Sequence, residues 1–121
     1  MKETYNSIKD NFNLLKEIKK LIVYSDAYVY TNFPKDKKHL KIGYFEAINS
    51  LFNNILRANY SLGNVRHKYQ VEGLVNISFI DFYINYIYDL EIINARRYSA
   101  IIRTLSNVKR LLYGWINEAK K

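Results

Sequence analysis

Cysteine is absent from the chain, which excludes disulfides and thiolate metal sites. Proline occurs once, at Pro34, and glycine four times. A protein of many short strands needs far more such punctuation, and no Asn-Gly or Asp-Gly pair marks a hairpin. No run approaches the roughly 20 apolar residues that span a bilayer. Lysine and aspartate interrupt the N-terminus before a secretory apolar core can form. The expectation is a cytoplasmic protein without a membrane segment. Histidine occurs only as His39 and His67. Neither has a Glu-x-x-His neighbour, so both are read as solvated surface groups rather than di-iron ligands.

Other chemistry is equally short of residues. There is no Gly-rich phosphate loop. Glu17, Asp26, Glu46, Glu72, Asp81 and Asp89 form no close carboxylate cluster for two-metal work. The Arg-x(4–6)-His spacing of HEPN-type ribonucleases is missing, because Arg66 adjoins His67 and Arg57 is too distant. No catalytic residue, metal site or cofactor is expected.

What the chain does have is apolar content and positive charge. Of 121 residues, 49% are hydrophobic and 25% charged, a balance that favours one folded domain over residues 1–121 rather than disorder. The net charge is +8 and uneven. Residues 94–121 hold seven basic side chains and one acid, whereas residues 64–93 hold two and four. A concentrated positive field draws polyanions and speeds their encounter.

Apolar residues recur every three or four positions in four stretches, which predicts helices over about 4–31, 36–62, 66–90 and 95–118. In the first, Ile8, Phe12, Leu15, Ile18, Ile22 and Val29 form the stripe, with Lys9, Lys16, Lys19 and Lys20 on other faces. Pro34 drives Phe33 to an extended backbone and ends it. Asp36 is the expected N-cap of the second helix. Its stripe is Leu40, Tyr44, Ala47, Leu51, Ile55, Ala58 and Leu62, widened by Phe45, Ile48, Phe52 and Leu56. Gly43 leaves room for another chain to approach closely, and Leu62-Gly63-Asn64 reads as the stop. The third helix carries Leu74, Ile77, Ile80, Ile84 and Ile87 on its core face. Val71, Val75, Phe79 and Phe82 stand elsewhere on it, and a helix of four cannot be enclosed on every side. They are therefore assigned to a contact between subunits. The fourth helix opens at Asn94, a good N-cap, and runs Tyr98, Ile101, Leu105, Val108, Leu112, Trp115 along one seam. Short turns between helices of this length give an all-α, antiparallel up-down-up-down four-helix bundle.

Opposite the seam of the fourth helix, Arg96, Arg103 and Arg110 are spaced by seven. They drift only about 20° per step and form one outward stripe, flanked by Lys109. Lys35, Lys37, Lys38 and Lys41 make a second basic patch at the start of the second helix, where the helix dipole favours anions. Both are candidate nucleic-acid contacts of the backbone type, dependent on salt and weak in sequence preference. The tyrosine groups Tyr24, Tyr28, Tyr30 and Tyr83, Tyr86, Tyr88 are read as packing at core margins before base stacking.

Three stretches carry a family resemblance: Phe33-Pro34-Lys35, Leu51-x4-Leu56-x-Ala58-Asn59-Tyr60, and Leu111-Leu112-Tyr113-Gly114-Trp115-Ile116. With these the chain resembles the Avd-like four-helix bundle proteins, the accessory variability determinants of diversity-generating retroelements. Proteins encoded in intervening sequences of large-subunit ribosomal RNA genes belong to the same superfamily. The resemblance implies a barrel-like homopentamer with a basic surface. It also implies a non-catalytic role beside a reverse transcriptase and its template RNA in mutagenic retrohoming. The alternative within that superfamily is a purely structural homo-oligomeric interaction module. Relatives often place basic residues on the second half of the third helix. Here Asp81 and Asn85 stand in that segment, so either the fourth helix and the Lys35–Lys41 patch carry the charge, or the chain is an Avd-like protein outside the retroelement role.

Overall fold

Pro34 and the chain on either side of it set the first corner. Residues 12–118 are described by a computed structural model. Helix α1 covers Phe12–Tyr28, and two 3-10 turns, Tyr30–Asn32 and Lys35–Lys37, flank the proline. Helix α2 is Lys38–Asn59, α3 is Gly63–Asp89 and α4 is Ala95–Glu118. All regular structure among the described residues is helical. The start of the first expected helix, with Ile8 and Lys9, lies outside them. Phe33 is extended, with φ −78° and ψ 129°, as the residue before a proline must be. α1 itself stops at Tyr28, and the chain tightens into a 3-10 turn before the proline is reached.

The four helices pack as a helical bundle. α2 lies along α3, α1 along α4 and α3 along α4, while α1 approaches α2 over only a short stretch. Specific contacts fix the α2–α3 pairing. Asn54 Nδ2 donates to Asn76 Oδ1 at 2.7 Å, Arg66 reaches Ala58, and Tyr83 lies over Gly43. Residue numbers rise along one helix as they fall along the other, so this pair is antiparallel. The open face at Gly43 is filled by Tyr83 of the same chain: a Cβ there would stand 2.5 Å from the ring. Gly73 serves the packing of α2, α3 and α4 together, since its Cβ would meet Ile55 at 3.0 Å and Leu112 at 3.3 Å.

The core is drawn from all four helices, with Ile18, Leu21, Leu51, Ile55, Ile84 and Leu112 among its fully buried side chains. Each such aliphatic side chain contributes about 1.5–3 kcal/mol by leaving water. One end of the bundle is aromatic. Tyr44 is buried there, its hydroxyl 2.7 Å from Ser25 Oγ, with Tyr30 edge-on to it. Tyr88 stacks on Tyr98 with ring centres 4.3 Å apart, and the Tyr98 hydroxyl donates to Asn85 Oδ1. Burial, and then the charges of Asp81 and Asp89, push the Tyr98 phenol above its ordinary pKa.

Several local expectations are corrected. Asp36 does not cap α2: it sits inside the 3-10 turn, and the capping position is Lys37, without a side-chain hydrogen bond. The second helix ends at Asn59 rather than Leu62, and Leu62 is 80% exposed. Gly63 opens α3 in the left-handed region, φ 57°, a conformation glycine adopts without steric cost. In α1 the buried face is Leu14, Ile18, Leu21 and Ser25, continued by Val29 just past its end, and Leu15 and Ile22 are only half-buried. The apolar surface of α1 is wider than its packing on α4 uses. α3 ends without glycine: Glu91 takes the left-handed position, φ 62°. Ile92 N–H then reaches Ile87 O at 3.2 Å and Glu91 N–H reaches Tyr88 O at 2.9 Å, which closes the helix in the Schellman pattern. No described helix is long and apolar enough to cross a membrane.

Candidate nucleic-acid interface

α4 starts where Asn94 caps it. The Asn94 Oδ1 accepts from the Arg97 backbone N–H at 2.9 Å, satisfying one of the donors a helix start leaves open. Everything downstream is phased from there. Ile101, Leu105, Val108, Leu112 and Trp115 point inward and are buried. Arg96, Arg103 and Arg110 point outward and are exposed. At 1.5 Å rise per residue, successive arginines stand roughly 10 Å apart and the stripe spans about 21 Å. The first acid on α4 is Glu118, near its end, so the stripe keeps an unbroken sign. Guanidinium groups can grip phosphate oxygens with paired donors.

The fold adds to this stripe two residues placed on another face by periodicity alone. Lys16 and Lys20 of α1 line a shallow cavity with Arg110, Asn13, Glu17, Asn107 and Leu111. Lys20 Nζ is 2.9 Å from Glu17 Oε1, and this pair is exposed on the lysine side. The packing of α1 along α4 thus joins two basic helix faces at one seam. Their residue spacing in α1 is legible, but the neighbour of α1 is not.

The other basic residues are distributed differently. Lys109 lines the α3–α4 groove beside Ser78, Asp81 and Ser106, on the far side of α4 from Lys16. Arg97 leans across the surface to α1: its guanidinium lies 3.7 Å from the ring centre of the exposed Tyr28, a cation–π contact that links α1 to α4. Hydrogen bonding to Tyr24, and less so to Tyr28, raises its pKa. Lys35, Lys37, Lys38 and Lys41 surround the start of α2, with Lys35 and Lys38 exposed and Lys37 and Lys41 half-buried. They form a patch at the aromatic end of the bundle, separate from the Arg110 seam.

Val71, Val75, Phe79 and Phe82 are exposed along α3, continued by Tyr86. Their spacing of four, four, three and four places them on one ridge directly opposite the Ile77, Ile80, Ile84 face. His39 and His67 are exposed. Among the described residues no group of three or more His, Cys, Asp or Glu could hold a metal ion.

Comparison of the chain with protein-family models, with curated proteins and with solved structures gave no match.

Proposed function

We propose that this protein is a non-catalytic, basic accessory protein that binds the backbone of RNA or DNA along α4. The observation that carries the reading is the unbroken outward stripe of Arg96, Arg103 and Arg110, with Lys16 and Lys20 set beside Arg110. An exposed, one-signed row of arginines suits phosphate contact better than it suits solubility alone. The resemblance to Avd-like proteins extends the reading: an up-down-up-down bundle in a homopentamer that assists a reverse transcriptase in diversity-generating retrohoming, in the cytoplasm. The exposed α3 ridge supports self-association.

The test changes Arg96, Arg103 and Arg110 together to Glu and measures binding to single-stranded RNA and duplex DNA across salt. Three lost phosphate contacts lower the log–log salt slope by about 2–3, so wild-type affinity falls about 20- to 40-fold more than the variant's between 50 and 200 mM salt. Unchanged affinity and slope rule the stripe out as the binding surface.

A second reading is favoured by the α3 ridge itself. The chain is then a structural homo-oligomer, an interaction module of the ribosomal-intervening-sequence type, with no nucleic-acid affinity even at low salt.

A further inference from the structure

Among the described residues two apolar surfaces face solvent, and they differ in shape and in charge. The first is the α3 ridge. Val75, Phe79 and Phe82 are 50%, 53% and 61% exposed. Counting roughly 150–250 Å² for each aromatic side chain, the exposed parts of Phe79, Phe82 and Tyr86 alone amount to about 300 Å². That already reaches the largest apolar patch of a typical monomer. The second is a groove of about 990 Å³ where α1 and α2 diverge. Leu15, Ile22 and Val23 of α1 and Phe52 and Leu56 of α2 form its walls.

Their charges are opposite. The groove is rimmed by Lys16, Lys19 and Lys20, all exposed, with Glu17 paired to Lys20. On α3 the ridge is flanked by Glu72 and Asp89, with Lys68 exposed at its start and no further lysine or arginine up to Ala95; Asp81 lies on the α4 side beside Lys109. A convex ridge in an acidic segment and a concave slot with a lysine rim are complementary, whereas neither surface is complementary to itself. Two acidic ridges, or two lysine-rimmed slots, would set like charges against each other.

We propose that the α3 ridge of one copy seats in the α1–α2 groove of the next, a head-to-tail contact between different faces of the same chain. It rests on the self-association in the reading above and specifies the surfaces that make it. A contact of this kind leaves one free ridge and one free groove at every step, and it closes into a ring when the rotation between copies allows. Helix ridges packing into helix grooves supply the geometry. Arg96, Arg103 and Arg110 do not line the groove, but its edge includes Thr104 of α4, and its rim lysines Lys16 and Lys20 also belong to the Arg110 seam.

The experiment uses the full chain without nucleic acid and reads mass by light scattering across concentration. Phe82→Glu with Val75→Glu disables the ridge, and Val23→Glu with Ala27→Glu disables the groove; all four positions are exposed. Wild type is expected as a multiple of 14.4 kDa and each variant at the single-chain mass. Mixing the two variants is expected to restore one intact ridge–groove pair, and so twice the single-chain mass and no more. A monomeric wild type overturns the proposal and leaves the ridge to some other partner. So does a groove variant that assembles like wild type, or a mixture that stays monomeric. Because the chain has no cysteine, Phe82→Cys and Val23→Cys introduced together give a second measurement that does not depend on the glutamate variants folding. Oxidation is expected to join the ridge thiol of one chain to the groove thiol of another. Disulfides formed only between the ridge thiols of two chains overturn the head-to-tail contact. RNA binding by the ridge variant, whose substitutions on α3 lie away from Arg110, Lys16 and Lys20, would persist independently, so loss of this proposal is separable from loss of the nucleic-acid reading.

Discussion

Removing the Arg66 side chain tests how three helices are tied at one end of the bundle. Arg66 lies in the first turn of α3. Its Nε donates to Ala58 O at 3.0 Å and its Nη2 to Asn59 O at 3.3 Å, two of the last carbonyls of α2; Ala58 O also accepts from the Ser61 backbone N–H at 3.2 Å. Its guanidinium also lies 5.4 Å from the ring centre of Trp115 on α4. Hydrogen bonds from a charged donor contribute about 1.5–3 kcal/mol each. One here is long and the group is half-buried, so the pair is taken at about 2 kcal/mol. A cation at a helix C-terminus adds about 0.3–1 kcal/mol, and the contact with tryptophan about 0.5–1 kcal/mol. Arg66→Ala is therefore expected to cost about 3 kcal/mol. With unfolding entropy of about 2.1 cal/mol/K per residue, that lowers Tm by roughly 12 °C in a chain of this size. Arg66→Lys keeps the charge but not the fork, and should lose about half as much. The measurement is denaturant unfolding followed by circular dichroism, at one fixed protein concentration because association shifts apparent stability. A loss below about 0.5 kcal/mol for the alanine variant would falsify the clamp, given the magnitudes its contacts carry.

Alkaline pH should weaken the fold through the tyrosines at the aromatic end. Burial, and secondarily the charge of Asp26, raises the Tyr30 pKa; burial raises that of Tyr44 against the opposing hydrogen bond from Ser25. Both phenols are held neutral in the folded state, so their contribution is complete below about pH 10, the unfolded value, and is lost as pH rises above it. Unfolding midpoints against pH, with phenolate absorbance, check this; a midpoint flat to about pH 12 contradicts the burial of these groups. Tyr44→Phe should flatten the alkaline loss while costing about 1–2 kcal/mol at neutral pH, because the Ser25 hydroxyl loses its buried partner. Glu91→Gly removes a side chain from the left-handed position that ends α3 and should stabilise by about 0.5–1 kcal/mol. A destabilised glycine variant would show that the Glu91 side chain supports the turn in another way.

Helical class was legible because periodicity is local: the spacing of Ile77, Ile80, Ile84 and Ile87 names one face of one helix without reference to any other. The cap at Asn94 was legible for the same reason, since its bond to the Arg97 N–H spans three residues. Asp36 was not, because competition between a 3-10 turn and an α-helix at Lys35–Lys37 is decided by how the chain leaves Pro34 and joins α2. Leu15 and Ile22 were read as core because they are apolar and correctly spaced. Their half-buried place in the groove depends on how far α2 stands from α1.

The candidate site divides along the same line. By itself the sequence determined that Arg96, Arg103 and Arg110 share a face, because a seven-residue spacing nearly completes two turns of any α-helix. It equally determined that Val71, Val75, Phe79 and Phe82 share another. Only the tertiary structure decided that Lys16 and Lys20 join Arg110, that Lys109 and Asp81 line one groove, and that Arg97 lies over Tyr28. The reason is physical: a helix face is set by rotation within one segment, whereas its neighbours are set by which faces of different segments bury the most apolar surface together.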